Sequence, residues 1–386
     1  MADTTVELTA QCFCKQHTFK TNIARSALPI KAVTCHCNSC RHMTGAMYSS
    51  DAPWPAVDGG EAIMNSTLQR YAFSERLTVR FCGTCSSPMF CEWPNKPRDK
   101  ISVFTGVLAN HADPDDVKDL VQITDAIFVG DTLDGGAAPW LRKPNGADGP
   151  KARLWMGQLN ESEELPHDWL PPRSLPDASK KSDLDQVAIR CRCKGVDLVM
   201  RRWSPELEAG GETEAAAWII DPDTHKGLGS FDACDSCRIA SGADVFNWTF
   251  VLLRQVGFAG TDETTPTTGG GFPVSSTELT AALSAKERDP RLGTLACYNS
   301  SPAATQSRNL RMWLWGVLEA PDGARAEDFV SWNFGGDMVW RNDIVGTWRE
   351  GLIKSMESEA EAWRIERGYP KNFYRVRKEK AQSTGS

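Results

Sequence analysis

The stretch Cys35-His36-Cys37-Asn38-Ser39-Cys40 decides how this sequence is interpreted, because it places three thiols within six residues. A tight turn at this spacing points alternate and i+3 side chains to one side, so the three sulfur atoms can converge on a single ion. Zinc binds thiolates at about 2.3 Å and prefers four tetrahedral donors. Three local donors therefore predict a zinc site with an open position, which is typical of catalytic rather than structural zinc.

Two further cysteine pairs flank this stretch in the first third of the chain. They are Cys12-Phe13-Cys14 upstream and Cys82-Gly83-Thr84-Cys85 downstream. The downstream pair follows Leu77, Val79 and Phe81, whose alternation predicts a β-strand. Together the pairs supply four thiolates, which predicts a closed structural zinc site beside the open one.

Disulfide bonds and buried free thiols are the alternative interpretation of these cysteines. Residues 1–5 show neither the positive charge nor the apolar stretch of a secretory signal. In a reducing compartment, short-spaced thiol pairs bind metal more often than they form disulfides. The thirteen cysteines of the chain therefore predict metal binding in a cytoplasmic protein, while the distribution of ligands between the two sites stays open.

The cysteine motifs and their neighbours resemble the glutathione-dependent formaldehyde-activating enzyme family, which also includes centromere protein V. The resemblance covers roughly residues 6–143. The residues that carry it are Cys12-x-Cys14, Cys35-His36-Cys37-x-x-Cys40-Arg41, Gly45, Tyr71, Cys82-x-x-Cys85, Gly106-x-Leu108, Asp113-Pro114 and Pro139-Trp140-Leu141.

This resemblance implies a β-rich, Mss4-like fold with two zinc ions in each complete domain. The ligands that it implies are Cys12, Cys14, Cys82 and Cys85 for a structural zinc ion, and Cys35, Cys37 and Cys40 for a catalytic one. It also implies a carbon–sulfur lyase activity, the reversible joining of glutathione and formaldehyde to S-hydroxymethylglutathione.

The chemistry of three thiolates favours a substrate that carries sulfur. A zinc ion with three negative donors acidifies water less than one with neutral ligands, but it binds soft thiolate sulfur well. His36 could carry a proton near neutral pH, or be a hydrogen-bonded ring beside the ligands. Arg41 could hold a substrate carboxylate or neutralise the thiolates. The predicted catalytic residues are therefore Cys35, Cys37, Cys40, His36 and Arg41, with glutathione as a candidate co-substrate.

Similar landmarks return in the second half of the chain, which predicts an internal repeat. Cys191-Arg192-Cys193 resembles the first pair, and Cys234-Asp235-Ser236-Cys237-Arg238 resembles the central stretch. Gly316-Val317-Leu318 repeats Gly106-Val107-Leu108.

This second copy is predicted to be degenerate at its metal ligands. Asp232 stands where the first copy has Cys35, and arginines stand near the expected late thiols in residues 306–311. The four remaining thiols, in residues 191–193 and 234–237, could bind one zinc ion only if the fold brings the two pairs together.

The predicted fold class is mainly β, with two tandem Mss4-like zinc-binding β-domains and a C-terminal α-helix. Five segments are predicted: residues 6–145 as the complete catalytic domain, 146–184 as a linker, 185–343 as the degenerate copy with an insertion, 344–368 as the helix, and 369–386 as a basic, solvated tail. A cluster at residues 154–156 could instead pack on a domain.

Charge and hydropathy exclude several functions. A net charge of -7 argues against nucleic-acid binding, and the absence of a run of 18 apolar residues argues against a membrane span. The predicted partner is a small-molecule thiol adduct or carbonyl compound; the oligomeric state is not predicted. The predicted function is a zinc-dependent carbon–sulfur lyase acting on a glutathione or other thiol adduct of a carbonyl compound. A non-catalytic, zinc-stabilised interaction protein is the alternative.

Overall fold

Among the residues that the structure describes, most of the regular structure is β-sheet, which confirms the predicted mainly β fold class. The computed structural model describes residues 4–55, 60–94, 100–114, 117–171, 185–204, 218–260, 271–296, 317–336, 338 and 344–384. Within these ranges the strands form four sheets. The first half below means residues 4–171, and the second half means residues 185–338.

The described residues of the first half form eleven strands. Their bounds are β1 Thr5–Gln11, β2 Thr18–Ala24, β3 Ile30–Cys35, β4 Ser49–Pro53, β5 Gln69–Ser74, β6 Leu77–Phe81, β7 Pro88–Glu92, β8 Ile101–Phe104, β9 Val121–Ile127, β10 Arg153–Trp155 and β11 Glu164–Leu165. Strands β1 and β2 form an antiparallel hairpin, and the other nine form one sheet in the order β11-β10-β9-β3-β4-β8-β7-β6-β5.

Strand β3 lies in the interior of the nine-stranded sheet and leads directly into the central cysteine stretch. It pairs in parallel with β9 on one side and antiparallel with β4 on the other. Ile30, Ala32 and Cys35 on β3 are buried, as expected for a strand with neighbours on both edges. The position of Cys35 is thus set by a strand that hydrogen-bonds along both sides.

Residues assigned to the linker extend the sheet of the first half. Strand β10 pairs in parallel with β9, and β11 pairs antiparallel with β10. Leu154 and Trp155 are buried, and Trp155 Nε1 donates to Asp125 Oδ1 at 2.9 Å. The linker was predicted from its Pro and Gly residues. The prediction is wrong for residues 153–155, because burial of this apolar cluster places them in the sheet. Residues 172–184 lie outside the described part.

The described residues of the second half also form mainly strands, in two smaller sheets. Its strands are β12 Gln186–Arg190, β13 Asp197–Arg201, β14 Gly227–Asp232, β15 Phe246–Thr249, β16 Val256–Phe258, β17 Leu318–Glu319 and β18 Val330–Trp332. The sheet orders are β16-β13-β12-β17 and β15-β14-β18. In the described ranges the α-helices are α1 Asn38–Thr44, α2 Glu61–Met64, α3 Asp235–Ser241, α4 Ser276–Ser284, α5 Glu350–Glu366 and α6 Phe373–Thr384.

One strand–turn–helix unit occurs in both halves with nearly the same backbone. Cys37 caps α1 with φ −63° and ψ 150°, and Cys234 precedes α3 with φ −64° and ψ 153°. Gly45 and Gly242 end these helices in the left-handed region, where glycine has no Cβ to clash. A complete tandem copy stays a prediction, because residues 261–270 of the insertion and 297–316, including the expected late thiol positions, lie outside the described part.

The C-terminal prediction is partly corrected. Helix α5 begins at Glu350, not at residue 344, since Gly346 adopts φ +76° in the preceding turn. The predicted solvated tail contains α6, whose Arg375 pairs with Glu361 of α5 at 3.0 Å. Ion pairing and packing hold this basic segment against the protein, which its charge alone does not reveal. None of the helices in the described ranges is both long and apolar enough to cross a bilayer.

A short turn at residues 105–107 joins the two halves. Gly106 N donates to Gly242 O at 3.0 Å, so the backbone of the first half touches the end of α3 directly. Arg238 on α3 is 1% exposed, and its Nη1 donates to the carbonyl oxygens of Gly106 and Leu108. This contact works only without a side chain at position 106, because any Cβ there would enter the neighbouring backbone.

Arg349 reaches the same turn from the start of α5. Its Nη2 donates to Thr105 O at 2.6 Å and to Leu108 O at 3.0 Å, and its Nε donates to Asp244 Oδ1 at 3.1 Å. The guanidinium is fully buried, so these bonds replace the hydration that it loses. First half, second half and C-terminal helix therefore meet at one set of backbone carbonyls.

We expect Gly106→Ala to destabilise the protein by about 1–3 kcal/mol, the usual cost of overpacking. The added Cβ would lie 2.5 Å from Ala243 N, and the backbone there cannot rotate away as a side chain can. Gly351→Ala is the matched control, since no atom lies within 4 Å of its Cβ and alanine favours a helix. Thermal unfolding of both variants measures the difference; equal melting temperatures would contradict the interface.

Candidate metal centres

The four cysteines predicted to form a closed site meet between the hairpin and the large sheet. Cys12 and Cys14 follow β1, whereas Cys82 and Cys85 follow β6. All four sulfur atoms lie within 4.8 Å of one another. The Cys12–Cys14 and Cys14–Cys82 sulfur distances are both 3.6 Å. Tetrahedral zinc with bonds of about 2.3 Å needs sulfur atoms about 3.8 Å apart, so this donor set fits zinc.

Both pairs of this cluster are presented by similar tight turns. Lys15 N donates to Cys12 O at 2.9 Å, and Ser86 N donates to Cys82 O at 2.8 Å. Lys15 and Ser86 have φ of 63° and 61°, the left-handed conformation that folds the chain back after each pair. The two turns aim their sulfur atoms at a shared point, although 68 residues separate Cys14 from Cys82.

Burial and hydrogen bonding give the thiols of this cluster different pKa values. Burial raises the pKa of Cys12 to about 12. Burial also acts on Cys85, but hydrogen bonds from Ser87 outweigh it and lower the pKa of Cys85 to about 6. One sulfur of the cluster is therefore a thiolate at neutral pH and can attract a cation before the others lose their protons.

The three cysteines predicted to form an open site also meet, at the end of β3 and the start of α1. The sulfur atoms of Cys35, Cys37 and Cys40 lie within 4.8 Å of one another. Cys37 accepts a hydrogen bond from Cys40 N at 3.3 Å, which makes it the N-cap of α1. Cys35 and Cys40 are buried, and Cys37 is half-buried, so the cluster is reached from the Cys37 side.

Negative charge in this cluster is concentrated on Cys37. Hydrogen bonds from the Cys35 and Cys40 thiols, together with backbone N–H groups, lower the pKa of Cys37 to about 3. The same hydrogen bonds raise the pKa of Cys35 well above its ordinary value. The cluster thus presents a thiolate at its half-exposed position, which suits a divalent cation that prefers sulfur.

His36 lies fully buried beside the cluster. Its Nε2 lies 3.3 Å from Thr34 Oγ1, and its ring stacks on Tyr48 with centroids 5.8 Å apart. Burial lowers the pKa of His36 to about 4, so the ring is neutral at pH 7. A buried neutral imidazole with a hydrogen-bonded nitrogen favours an orienting role over proton transport to solvent.

Arg41 on α1 is buried and incompletely paired. Its Nη2 donates to Asn38 Oδ1 at 2.6 Å, whereas Nε and Nη1 have no hydrogen-bond acceptor among the described residues. Burial lowers the pKa of Arg41, and the Asp134 carboxylate and the Cys37 thiolate oppose this effect. Unsatisfied donors on a buried guanidinium are costly, so an anion at this position would be stabilised.

The second half contributes residues near α1 that local sequence patterns did not indicate. Arg192 N donates to His42 O at 2.9 Å, and Glu319 Oε1 lies 3.7 Å from His42 Nδ1. Asn247 Oδ1 accepts from Met47 N at 3.2 Å. These contacts join residues more than a hundred positions apart, which periodicity and motif spacing cannot detect.

The Cys191–Cys193 pair and the Cys234–Cys237 pair do not form one cluster among the described residues. Cys191 and Cys193 lie 3.2 Å apart, but among the described residues the group that contains Cys234 and Cys237 includes Asp232 instead. The condition under which these pairs could share one zinc ion, that the fold brings them together, is therefore not met among the described residues. The physical reason is that each pair lies on a different sheet, β12-β13 in one case and β14 in the other.

We expect Cys82→Ser to remove one zinc ion per chain and to lower the melting temperature strongly. Binding of structural zinc is part of the folding free energy, on the order of 10 kcal/mol in small zinc domains. Cys91→Ser is the control, because Cys91 is equally buried on β7 but lies outside the clusters. Metal analysis and thermal unfolding provide the comparison; the same zinc content in both variants would contradict the four-cysteine site.

The comparison with known families bears on the segment that contains both of these clusters. Residues 7–128 match the family model described as glutathione-dependent formaldehyde-activating enzyme. No curated protein and no solved structure matched the chain. The matched segment runs from β1 to the residue after β9, and the second half lies outside it. The match confirms, for residues 7–128, the predicted resemblance to the glutathione-dependent formaldehyde-activating enzyme family.

Proposed function

We propose that this protein is a zinc-dependent carbon–sulfur lyase acting on a thiol adduct of a carbonyl compound, with glutathione as the candidate thiol. The observation that carries the proposal is the three-cysteine cluster, half-exposed at Cys37 and next to the unsatisfied guanidinium of Arg41. The family match at residues 7–128 supports glutathione-related chemistry.

Cys35, Cys37 and Cys40 would hold the catalytic zinc ion, and Cys12, Cys14, Cys82 and Cys85 the structural one. When bound to three thiolates, zinc supplies an electrophilic centre with high affinity for sulfur. Four donors close one cluster, whereas three donors leave the other able to accept a substrate atom.

Arg41 would position the substrate through a carboxylate. Its counterpart on α3, Arg238, uses both terminal nitrogens for Asp235 and for the carbonyl oxygens of the interface turn. Arg41 uses only Nη2, for Asn38, and leaves Nε and Nη1 available. Glutathione carries two carboxylates, so it offers the charge that these donors lack.

His36 would orient the ligand loop. Its neutral ring is stacked on Tyr48 and lies beside Thr34, so it fixes the residue between Cys35 and Cys37 without adding charge. The backbone N of His36 also donates to Ile127 O at 2.9 Å, which joins the loop to the end of β9. This two-sided support holds the donors in a single geometry.

The reaction proposed for this site is the reversible cleavage of the carbon–sulfur bond in a hydroxyl-bearing adduct. The bond breaks with its electron pair going to sulfur, the hydroxyl proton passes to water at the half-exposed side, and the carbonyl double bond forms. The second half contributes Glu319 and Arg192 near α1, which favours a carbonyl compound larger than formaldehyde. A cytoplasmic location stays a prediction.

Cys37→Ser is expected to lower turnover of a glutathione–aldehyde adduct more than about 100-fold. Mutation of residues that only hydrogen-bond to metal ligands already lowers metal affinity or activity by about 10–100-fold, and Cys37 is a proposed ligand itself. Its fold should persist, since the four-cysteine cluster remains. Cys193→Ser is the control, as this thiol lies outside the three clusters of the described residues. Mass spectrometry of adduct turnover and circular dichroism are the measurements. Full activity of Cys37→Ser would favour the non-catalytic, zinc-stabilised interaction protein.

Arg41→Lys is expected to raise KM for a glutathione adduct about 10-fold with little change in kcat, because lysine lacks the planar guanidinium that donates two parallel hydrogen bonds to a carboxylate. An adduct of 2-mercaptoethanol has no carboxylate, so its KM should change less than about 2-fold. The ratio of the two KM values separates substrate positioning from general damage. Equal rises for both substrates would contradict the assigned role.

A further inference from the structure

The second half contains a buried cluster of Asp232, Cys234 and Cys237, to which the family match does not extend. One carboxylate oxygen and the two sulfur atoms lie within 4.8 Å of one another. Asp232 and Cys234 are each 7% exposed, and Cys237 is 1% exposed. Three side chains that can each ligate a metal ion are thus enclosed together.

The backbone presents these three side chains in the same way as the three-cysteine cluster. Asp232 ends β14 as Cys35 ends β3, and both strands pair in parallel with a later strand on one edge. Cys234 has the same φ and ψ as Cys37 within 3°, and Cys237 occupies the position of Cys40 in the helix that follows. A carboxylate therefore replaces a thiolate in an otherwise matching set of donors.

We propose that Asp232, Cys234 and Cys237 bind a further divalent metal ion, and that zinc is the ion that fits them. Two sulfur donors select zinc over the oxygen-preferring calcium and magnesium, and aspartate is a common zinc ligand. The Cys234 and Cys237 sulfur atoms lie 3.1 Å apart. A side-chain rotation that moves each sulfur atom by about 0.4 Å would bring them to the tetrahedral spacing of about 3.8 Å.

The carboxylate of Asp232 is oriented but not neutralised. Its Oδ1 accepts from Cys234 N at 2.8 Å, and its Oδ2 accepts from Trp248 Nε1 at 3.2 Å. Among the residues that the structure describes, Asp232 forms no ion pair. The Cys237 thiol is a further hydrogen-bond donor to this carboxylate. Neutral donors that fix a buried anion without cancelling its charge are the usual partners of a metal-binding carboxylate.

The surroundings of this cluster favour a structural ion over a catalytic one. Ala233 stands where the first half has His36, and Phe246 pairs with Asp232 where Ser49 pairs with Cys35. Phe246 and Trp248 pack against the two cysteines, so the site has apolar walls. An ion here would fix α3, the helix whose Arg238 binds the first half at the interface turn.

The test is the zinc content of the full-length protein and its variants, measured by mass spectrometry after desalting. Asp232→Asn keeps the shape of the side chain but removes its charge, and Cys237→Ser removes a sulfur donor. Each variant should contain one zinc equivalent less than the wild type. Cys193→Ser is the matched control in the same half and should keep the wild-type content. Wild-type content in Asp232→Asn and Cys237→Ser would overturn the proposal.

A gain-of-affinity variant keeps the test valid if Cys237→Ser fails to fold. Asp232→Cys rebuilds the three-thiolate set of the first half, so the additional zinc equivalent should resist a chelator at about 10-fold higher concentration than in the wild type. Chelator resistance equal to that of the wild type would count against the site. The result depends only on residues of the second half, so it is independent of the proposed lyase activity.

Discussion

The architecture depends on the carbonyl groups of the turn at residues 105–107 and of Leu108, which are shared by two buried arginines. Arg238 reaches them from α3 and Arg349 from the start of α5. Each guanidinium can donate five hydrogen bonds in a plane. The two arginines therefore provide hydrogen-bond donors for carbonyl groups that lie outside the β-sheets. Leaving either charge buried without these acceptors would cost several kcal/mol.

A second buried arginine contact joins the halves near the candidate active site. Arg325 N donates to Asp134 Oδ2 at 2.6 Å, and Arg325 Nη1 donates to Gly136 O at 2.8 Å. Asp134 also favours the charged form of Arg41. Charged groups of both halves therefore act on Arg41, since Glu319 of the second half also favours its charged form.

The two strand–turn–helix units show how one backbone can support different chemistry. In the first half the candidate metal ligands are Cys35, Cys37 and Cys40, and Arg41 keeps unsatisfied nitrogens. In the second half an aspartate replaces one thiolate and Arg238 is used by the interface. The same geometry thus serves a candidate reaction centre in one half and a contact between halves in the other.

Local sequence was sufficient to predict strands and closely spaced thiols in the first half, and the family resemblance supplied the β-rich fold and the membership of the two cysteine clusters. Thiol spacing and strand alternation are short-range properties, and they act through turns of a few residues. The sulfur atoms of Cys12, Cys14, Cys82 and Cys85 lie within 4.8 Å of one another, which agrees with the ligand set that the family resemblance implied. Only tertiary structure decided that residues 153–155 join the sheet, that Cys191 stays apart from Cys234, and that Asp232 enters a donor set. Those outcomes depend on which strands pair and on where buried charges find partners, and both are set by contacts between distant parts of the chain.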